Sequence, residues 1–298
     1  MSHAKHITLY GAAHIDRTGL CFAKPEPGKS NPGEFTNFPG GAAWNVASNL
    51  SVLGANVKLH SIIGGDQGGR YLKQSALDRS FEFNPQVSSQ KSTATYTSIL
   101  APGGELTIAL ADMGIYEEFD FPKAPPPDST SKKHSWTLVD ANLPTEAITQ
   151  IARTQSSKIA AMTVSSAKAS KLKSSLSTID ILFTNRAELA SLCSEKRDSD
   201  IQKLISRFQD MGGTSAVISN GAEEIWSIDS TANIEHHTVP TIAFIKDVTG
   251  AGDALAAGIL FELMSSKPLA QSVQFGIRLS QAILEVEGAW RPDLKTLA

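Results

Sequence analysis

The residues with the most chemistry in them form one run near the C-terminal end of the chain, Asp247-Val248-Thr249-Gly250-Ala251-Gly252-Asp253. The run follows an apolar, strand-like segment and opens a stretch patterned as a helix over residues 254–264. Gly250, Ala251 and Gly252 leave three successive backbone N–H groups unshielded by bulky side chains. A helix N-terminus presents such groups with the positive end of its dipole, which suits a phosphate or another developing anion. Asp253 falls in the first turn, beside that anion site. A carboxylate there can take a proton from an attacking hydroxyl while the N–H groups hold the charge on a phosphoryl group in transfer. The chemistry predicted is phosphoryl transfer from a nucleotide to an alcohol. Taken alone, the same residues would also serve as a tight entry turn with an acid complementing the dipole.

A second glycine constellation, Pro39-Gly40-Gly41-Ala42-Ala43-Trp44-Asn45, weighs toward chemistry. It too leads into a helix, because Val46, Ala47, Leu50 and Leu53 fall at helical spacing and Gly54 sits where a glycine ends a helix. Gly40 and Gly41 let backbone come close to a ligand. Asn45, on the first turn, offers a donor and an acceptor to a polyol. An apolar run over 57–63 follows and ends in Gly64-Gly65-Asp66.

The elements that must position these residues alternate along the chain. Strand-like runs cover 7–12, 57–63, 136–141, 158–164, 181–184 and 215–219, with helical stretches between most of them, as in a doubly wound sheet. Two segments break the alternation. Residues 17–38 are rich in Gly, Pro and polar side chains. Within 91–113, Tyr96, Ser98 and Leu100, then Leu106, Ile108 and Leu110, alternate around Pro102-Gly103-Gly104, which predicts a hairpin. Residues 125–133, polar and proline-rich, read as an exposed connection.

A chain of 298 residues can bury one large α/β core with a small appendage. Its 41% hydrophobic and 19% charged residues are those of a soluble globular protein. A net charge of −3, with no long basic run, speaks against nucleic-acid and membrane partners. No apolar run approaches the roughly 18 residues that span a bilayer, and the stretch from Met1 to His6 lacks the apolar core of a signal peptide. Two cysteines, Cys21 and Cys193, make no disulfide framework, so a reducing cytoplasm is expected. His236-His237 lies in a polar segment without a third ligand at suitable spacing and reads as surface. No Gly-x-x-x-x-Gly-Lys-Ser/Thr run occurs, which excludes a P-loop.

The two glycine constellations, in this order and about 200 residues apart, resemble the two signature regions of the ribokinase-like (PfkB) carbohydrate kinase family. Thr184-Asn185-Arg186-Ala187-Glu188 resembles the family's Asn-x-x-Glu motif, although the pattern is also that of an N-cap with an acidic first turn. Ser30-Asn31-Pro32-Gly33, Thr95-x-Thr97 with Gly104-Glu105-Leu106, Ala111-Asp112-Met113, Asp140-Ala141-Asn142 and Glu287-Gly288-Ala289 resemble the pseudouridine kinase branch. The resemblance covers nearly the whole chain. It implies a single three-layer αβα sandwich over 1–298 with a mostly parallel central sheet. The segments 17–38 and 91–113 would pair as a small β-sheet lid, through which a homodimer could form.

The resemblance also implies site roles. Gly250, Ala251 and Gly252 form the anion hole and Asp253 is the base. Asp16, Asn31, Gly40, Gly41, Asn45 and Asp253 bind the acceptor, Asp16 through two sugar hydroxyls. Asn185, Ser219, Gly221, Gly250 and Gly252 border ATP. Glu188 holds Mg²⁺ through water, and a monovalent cation, K⁺, sits near Asp247 and Thr249. The implied reaction is ATP-dependent phosphorylation of a primary hydroxyl on a ribosyl substrate, with pseudouridine as the acceptor that the branch motifs favour. Ribose, fructose or another sugar is the alternative within the fold, and an inactive sugar- or nucleotide-binding regulator is the alternative outside it. The chain departs from its branch at Trp44, where an Arg is usual, at Met162-Thr163-Val164, where many relatives have Asp-Pro, and at Glu224, which takes the place of a later glycine in the nucleotide loop. Trp44 could stack on a base or sugar, or fill core.

Overall fold

The computed structural model describes residues 5–121 and 135–297. Its main sheet has nine strands. β1 (His6–Tyr10), β4 (Asn56–Gly64), β5 (Glu82–Ser88), β8 (Trp136–Asp140), β9 (Lys158–Met162), β10 (Ile181–Asn185) and β11 (Ala216–Ser219) run parallel; β12 (Glu224–Ile228) and β13 (Ile234–Thr238) are added antiparallel at one edge. The order is β13-β12-β11-β10-β9-β8-β1-β4-β5.

Neighbouring residues on one strand point into two different cores. Leu9 and Tyr10, Leu138 and Val139, Ala160 and Ala161, and Val217 and Ile218 divide in this way. This is the period-2 alternation of a sheet covered on both faces, so its strands are apolar throughout instead of half polar. On one face pack α1 (Ala42–Val52), α2 (Gln67–Asp78), α6 (Ala251–Leu263) and α7 (Leu269–Leu284); on the other, α3 (Thr145–Thr154), α4 (Arg186–Leu192), α5 (Ile201–Asp210) and a 3₁₀ stretch, Ala169–Thr178. The α6–α7 contact is close because Gly258 and Gly276 meet: a Cβ on Gly258 would lie 2.8 Å from the Gly276 Cα.

A separate sheet of four strands, in the order β3-β2-β6-β7, stands apart from the main one. It comprises β2 (His14–Cys21), β3 (Gly33–Gly40), β6 (Thr95–Leu100) and β7 (Leu106–Asp112). The hairpin read around Pro102-Gly103-Gly104 is β6–β7. The first segment pairs over a longer range than 17–38, so Asp16 lies inside β2 and not in a turn after β1. Its sequence gives no strand signal because β3 is an edge strand, largely exposed, and carries Pro39 where an edge tolerates it.

α1 matches its sequence signals closely. Gly54 has φ +89°, its N–H donates to Ser51 O, and the Ala55 N–H donates to Leu50 O, closing the helix with a left-handed glycine. Four readings need correction. The apolar segment that precedes Asp247 is loop, not strand, with Phe244 and Ile245 exposed, because its apolar side chains face a cavity and solvent. α6 starts at Ala251, before residue 254. β5 and β13 are edge strands whose polar residues hid them from a hydrophobic pattern, and β12, between β11 and β13, has a buried run of only four residues, Ile225–Ile228. His237 is buried, hydrogen-bonded to Ser227 Oγ (2.8 Å) and Gln274 Nε2 (3.1 Å), while His236, on the other face of β13, is exposed beside Glu224. The connection 125–133 lies outside the described residues.

Candidate active site

Parallel strands bring their carboxyl ends to one edge, and the chemistry-bearing residues collect there. Asp140 ends β8, Thr163 follows β9, Asn185 ends β10 and Ser219 ends β11. The loop before α6 supplies the rest.

Gly250 caps α6 in the left-handed region, at φ +76°, and a Cβ there would lie 2.2 Å from the Ala289 Cβ. Only glycine meets both demands. Gly252 has no left-handed φ and open space where a Cβ would go, so its lack of a side chain keeps the helix N-terminus accessible. The position in this loop that a side chain would strain is therefore Gly250, not Gly252. Asp247 pins this loop: its Oδ1 accepts from the Thr249 N–H (2.8 Å) and its Oδ2 from the Gly288 N–H (3.0 Å).

Asp253 is partly buried at the start of α6, and its Oδ2 accepts from Asn45 Nδ2 at 2.7 Å. Asn45 thus reaches Asp253, a contact that the sequence reading of Asn45 as a polyol ligand did not contain. Burial pushes the Asp253 carboxyl up to about 7; the Asn45 hydrogen bond opposes this, and the negative charges of Asp140, Asp16 and Glu188 add to it. A carboxyl poised near neutral pH can both hold and release a proton.

Asp16 stands in β2 against Gly40, where a Cβ would fall 1.9 Å from the Asp16 Oδ2. Gly41, at φ +109°, approaches the Ala12 carbonyl too closely for any side chain. A residue that the sequence reading left without a role organises this corner. The Asp140 carboxylate is fully buried; Oδ2 accepts from the Ala12 N–H (2.8 Å) and the Ala43 N–H (3.1 Å), and Oδ1 from the Asn142 N–H (2.9 Å). It joins the end of β1, the start of α1 and the end of β8, and Gly11 leaves it the room. The local signal was an acid at the end of an apolar strand. Asn31 is not brought to this group. Its amide is used inside its own exposed loop, with Glu26 N, Glu26 O and Lys29 O.

Asn185 and Glu188 form a capping box on α4, and Glu188 Oε2 also accepts from the Thr163 hydroxyl. Capping and cavity lining coexist here. Asn185, Glu188, Ser219, Gly250, Gly252 and Asp253 line one cavity, with Val164 on its wall in the left-handed region at φ +65°. A second, largely apolar cavity adjoins it at Ser219, Gly252 and Leu255 and is walled by Gly221, Ala222, Ile225, Ile242, Ile245 and Leu284. It has the shape and polarity for a flat heteroaromatic group. Trp44 lines neither cavity. It is buried among the core aromatics, edge-on to Phe81 at 5.0 Å and Phe83 at 5.4 Å. Glu224 is turned onto His236 across the β12–β13 pair (2.8 Å).

An anion-receptive helix N-terminus, a carboxyl beside it and an adjoining apolar slot are the parts of a phosphotransfer site. Residues 4–296 match the pfkB family carbohydrate kinase description. The chain belongs to that family. The kinase is a phosphotransferase acting on a sugar or nucleoside hydroxyl, with the ribokinase-like fold. It is 27% identical to the pseudouridine kinase of Escherichia coli (strain K12) over 99% of its own length and 95% of that protein's. A carbohydrate kinase from Agrobacterium tumefaciens superposes with a TM-score of 0.84 at 34% identity, covering 98% of this kinase and 95% of that chain. The Arabidopsis thaliana ribokinase complexed with ribose and ATP superposes with a TM-score of 0.81 at 17% identity, covering 99% and 97%.

Among the described residues of the kinase, no three His, Cys, Asp or Glu side chains converge to cage a metal ion. Glu188, whose Oε1 accepts no hydrogen bond from the described residues, suits a Mg²⁺ that keeps its waters and arrives with phosphate ligands. No described helix is long and apolar enough to cross a membrane.

Proposed function

We propose that this kinase transfers the γ-phosphoryl group of ATP to the 5′-hydroxyl of pseudouridine. The observation that carries the phosphotransfer chemistry is the Asp253 carboxyl, held by Asn45 beside the open N-terminus of α6 and lining the cavity that meets the apolar slot. What supports the acceptor is the likeness to the Escherichia coli pseudouridine kinase over nearly the full length of both chains.

In this reading the adenine lies in the apolar slot, bordered by Ser219 and Gly221, and the phosphates cross Gly250-Ala251-Gly252 toward Asn185. Asp16, Gly40, Gly41 and Asn45 hold the ribosyl hydroxyls so that the primary hydroxyl faces Asp253. Asp253 takes its proton as the oxygen attacks the γ-phosphorus, while the N–H groups at the start of α6 stabilise the charge on the transferring group. Glu188 is the residue that would hold Mg²⁺, through water, and the ion would supply charge neutralisation to the phosphates. Asp247 and Thr249 are the residues assigned to a monovalent cation, K⁺, in this reading, in a loop that the Asp247 carboxylate ties to Gly288.

We also infer a cytoplasmic homodimer that covers the outer face of the small sheet. Phe35, Ile99 and Ile108 share that face by register, opposite to Asp16, and Ile108 and Leu110 are 63% and 71% exposed on it. An apolar face of this extent on an edge hairpin is an association surface.

Steady-state assays with pseudouridine, uridine, ribose and fructose test the acceptor. Pseudouridine should have the highest kcat/KM. A higher value for free ribose or fructose would refute pseudouridine and leave the kinase chemistry standing.

A further inference from the structure

At the base of the small sheet three side chains from two elements make a chain of hydrogen bonds that the mechanism above does not use. Tyr116 lies in the 3₁₀ turn Gly114–Glu118 just after β7. Its hydroxyl is 3.3 Å from His14 Nδ1. His14 opens β2, and its Nε2 is 3.1 Å from Asp16 Oδ1. His14 and Asp16 are two apart on one strand and share a face, which turns both toward the body of the protein.

The proton positions follow from the partners. An ionised carboxylate only accepts, so His14 Nε2 carries a hydrogen. In the neutral ring Nδ1 is then the acceptor, and Tyr116 donates to it. Burial, with Asp140 and Asp16 nearby, keeps the fully buried Tyr116 phenol far above its usual pKa and therefore a donor. The direction is Tyr116 to His14 to Asp16. Asp16 Oδ1 is thereby occupied. Its Oδ2 lies against Gly40 and accepts no hydrogen bond from the described residues.

We propose that His14 is a positioning residue for the acceptor: oriented by Tyr116, it holds Asp16 through Oδ1 and so presents Oδ2 to an acceptor hydroxyl. The inference rests on Asp16 being an acceptor ligand. His14 and Tyr116 also sit at two of the chain crossings between the small sheet and the body, β1 to β2 and β7 to the 3₁₀ turn. Asp16 is therefore referenced to the rigid body and not only to the small sheet that carries it.

The test separates acceptor from nucleotide. With the best acceptor of the four-compound panel, His14→Ala should raise the acceptor KM about tenfold, the usual cost of freeing a charged hydrogen-bond partner. The ATP KM and the Tm should stay near wild type. His14→Gln, whose amide nitrogen reaches about as far as the imidazole Nε2 and can donate to Asp16, should recover most of the loss. Tyr116→Phe should raise the acceptor KM less, and His14→Ala combined with Tyr116→Phe should be no worse than His14→Ala alone, since both act through one contact. An unchanged acceptor KM in His14→Ala overturns the proposal. So do a parallel rise in both KM values with a lowered Tm, or strict additivity in the double variant. If Asp16→Ala binds acceptor normally by calorimetry, the reading of Asp16 fails and this inference with it.

Discussion

Asp253→Asn separates the chemistry of the site from its stability. Asn is nearly isosteric with Asp, and its carbonyl can still accept from Asn45 Nδ2, so the 2.7 Å contact has a substitute. What disappears is the proton acceptor, and kcat should fall roughly 10²–10⁴-fold. The stability effect has the opposite sign. The carboxyl titrates near 3.8 when unfolded and at about 7 in the fold. The native state therefore disfavours the ionised form; this cost is absent below about pH 4, grows through the interval, and is full above about pH 7. The Asn variant should melt at a higher temperature than wild type at pH 8, and the gap should close by about pH 4. The same titration sets the acid limb of the wild-type enzyme. With a pKa of about 7, about a tenth of Asp253 is ionised at pH 6 and about half at pH 7, so kcat/KM should rise about fivefold between these values, approach a tenfold rise per pH unit below them, and level off above neutrality. The assays are coupled-enzyme kinetics from about pH 5.5 to 8.5 and apo melting curves from about pH 4 to 8.5. Near wild-type turnover in the variant, a lower Tm at pH 8, or a wild-type acid limb centred near 4 would refute the reasoning.

The paired glycine substitutions should behave differently from one another. Gly250→Ala forces a side chain into φ +76° and against Ala289, costing about 1–2 kcal/mol or more of stability and visible as a lowered Tm. Gly252→Val has room in the fold, so its Tm should stay near wild type while phosphoryl transfer collapses and acceptor binding by calorimetry persists. His60, fully buried and stacked on Tyr10 at 4.8 Å, is held neutral, with burial pushing its pKa down to about 4 from 6.5. The stability this confers is complete above about pH 6.5 and is lost as pH falls toward 4, by about 3 kcal/mol, and His60→Phe should flatten that part of a urea-denaturation pH profile. Ile108→Lys should convert the proposed dimer to monomer by light scattering and leave the fold of the single chain intact by circular dichroism, because this side chain is 63% exposed in the single chain; a variant that remains dimeric would exclude the small-sheet face as the interface.

Local chemistry was legible because it is written in contiguous residues. The order Gly250-Ala251-Gly252-Asp253 places N–H groups and an acid at one helix end, whatever the rest of the chain does. The 3.6-residue spacing in α1 with Gly54 behind it, and the alternation around Pro102-Gly103-Gly104, are likewise settled by backbone geometry over a dozen residues. Contacts across the sheet order are not. Asn45 meets Asp253 from 208 positions away, and His14 meets Tyr116 from 102. Neither partner carries a local mark of the other, since each pairing depends on which strands become neighbours. The same holds for the pKa of Asp253: its type and position are sequence facts, but its poise near neutrality comes from burial and from three acids delivered by β2, β8 and α4. Trp44 could be read either as a ligand platform or as core until α1 was laid against Phe81 and Phe83. Gly250 and Gly252 look alike in the chain, and only the approach of Ala289 separates a glycine required by the fold from one that leaves the helix end open. The sequence by itself determined which groups could do chemistry; the tertiary structure decided which of them meet, and with what charge, because both proximity and desolvation are properties of packing between distant segments.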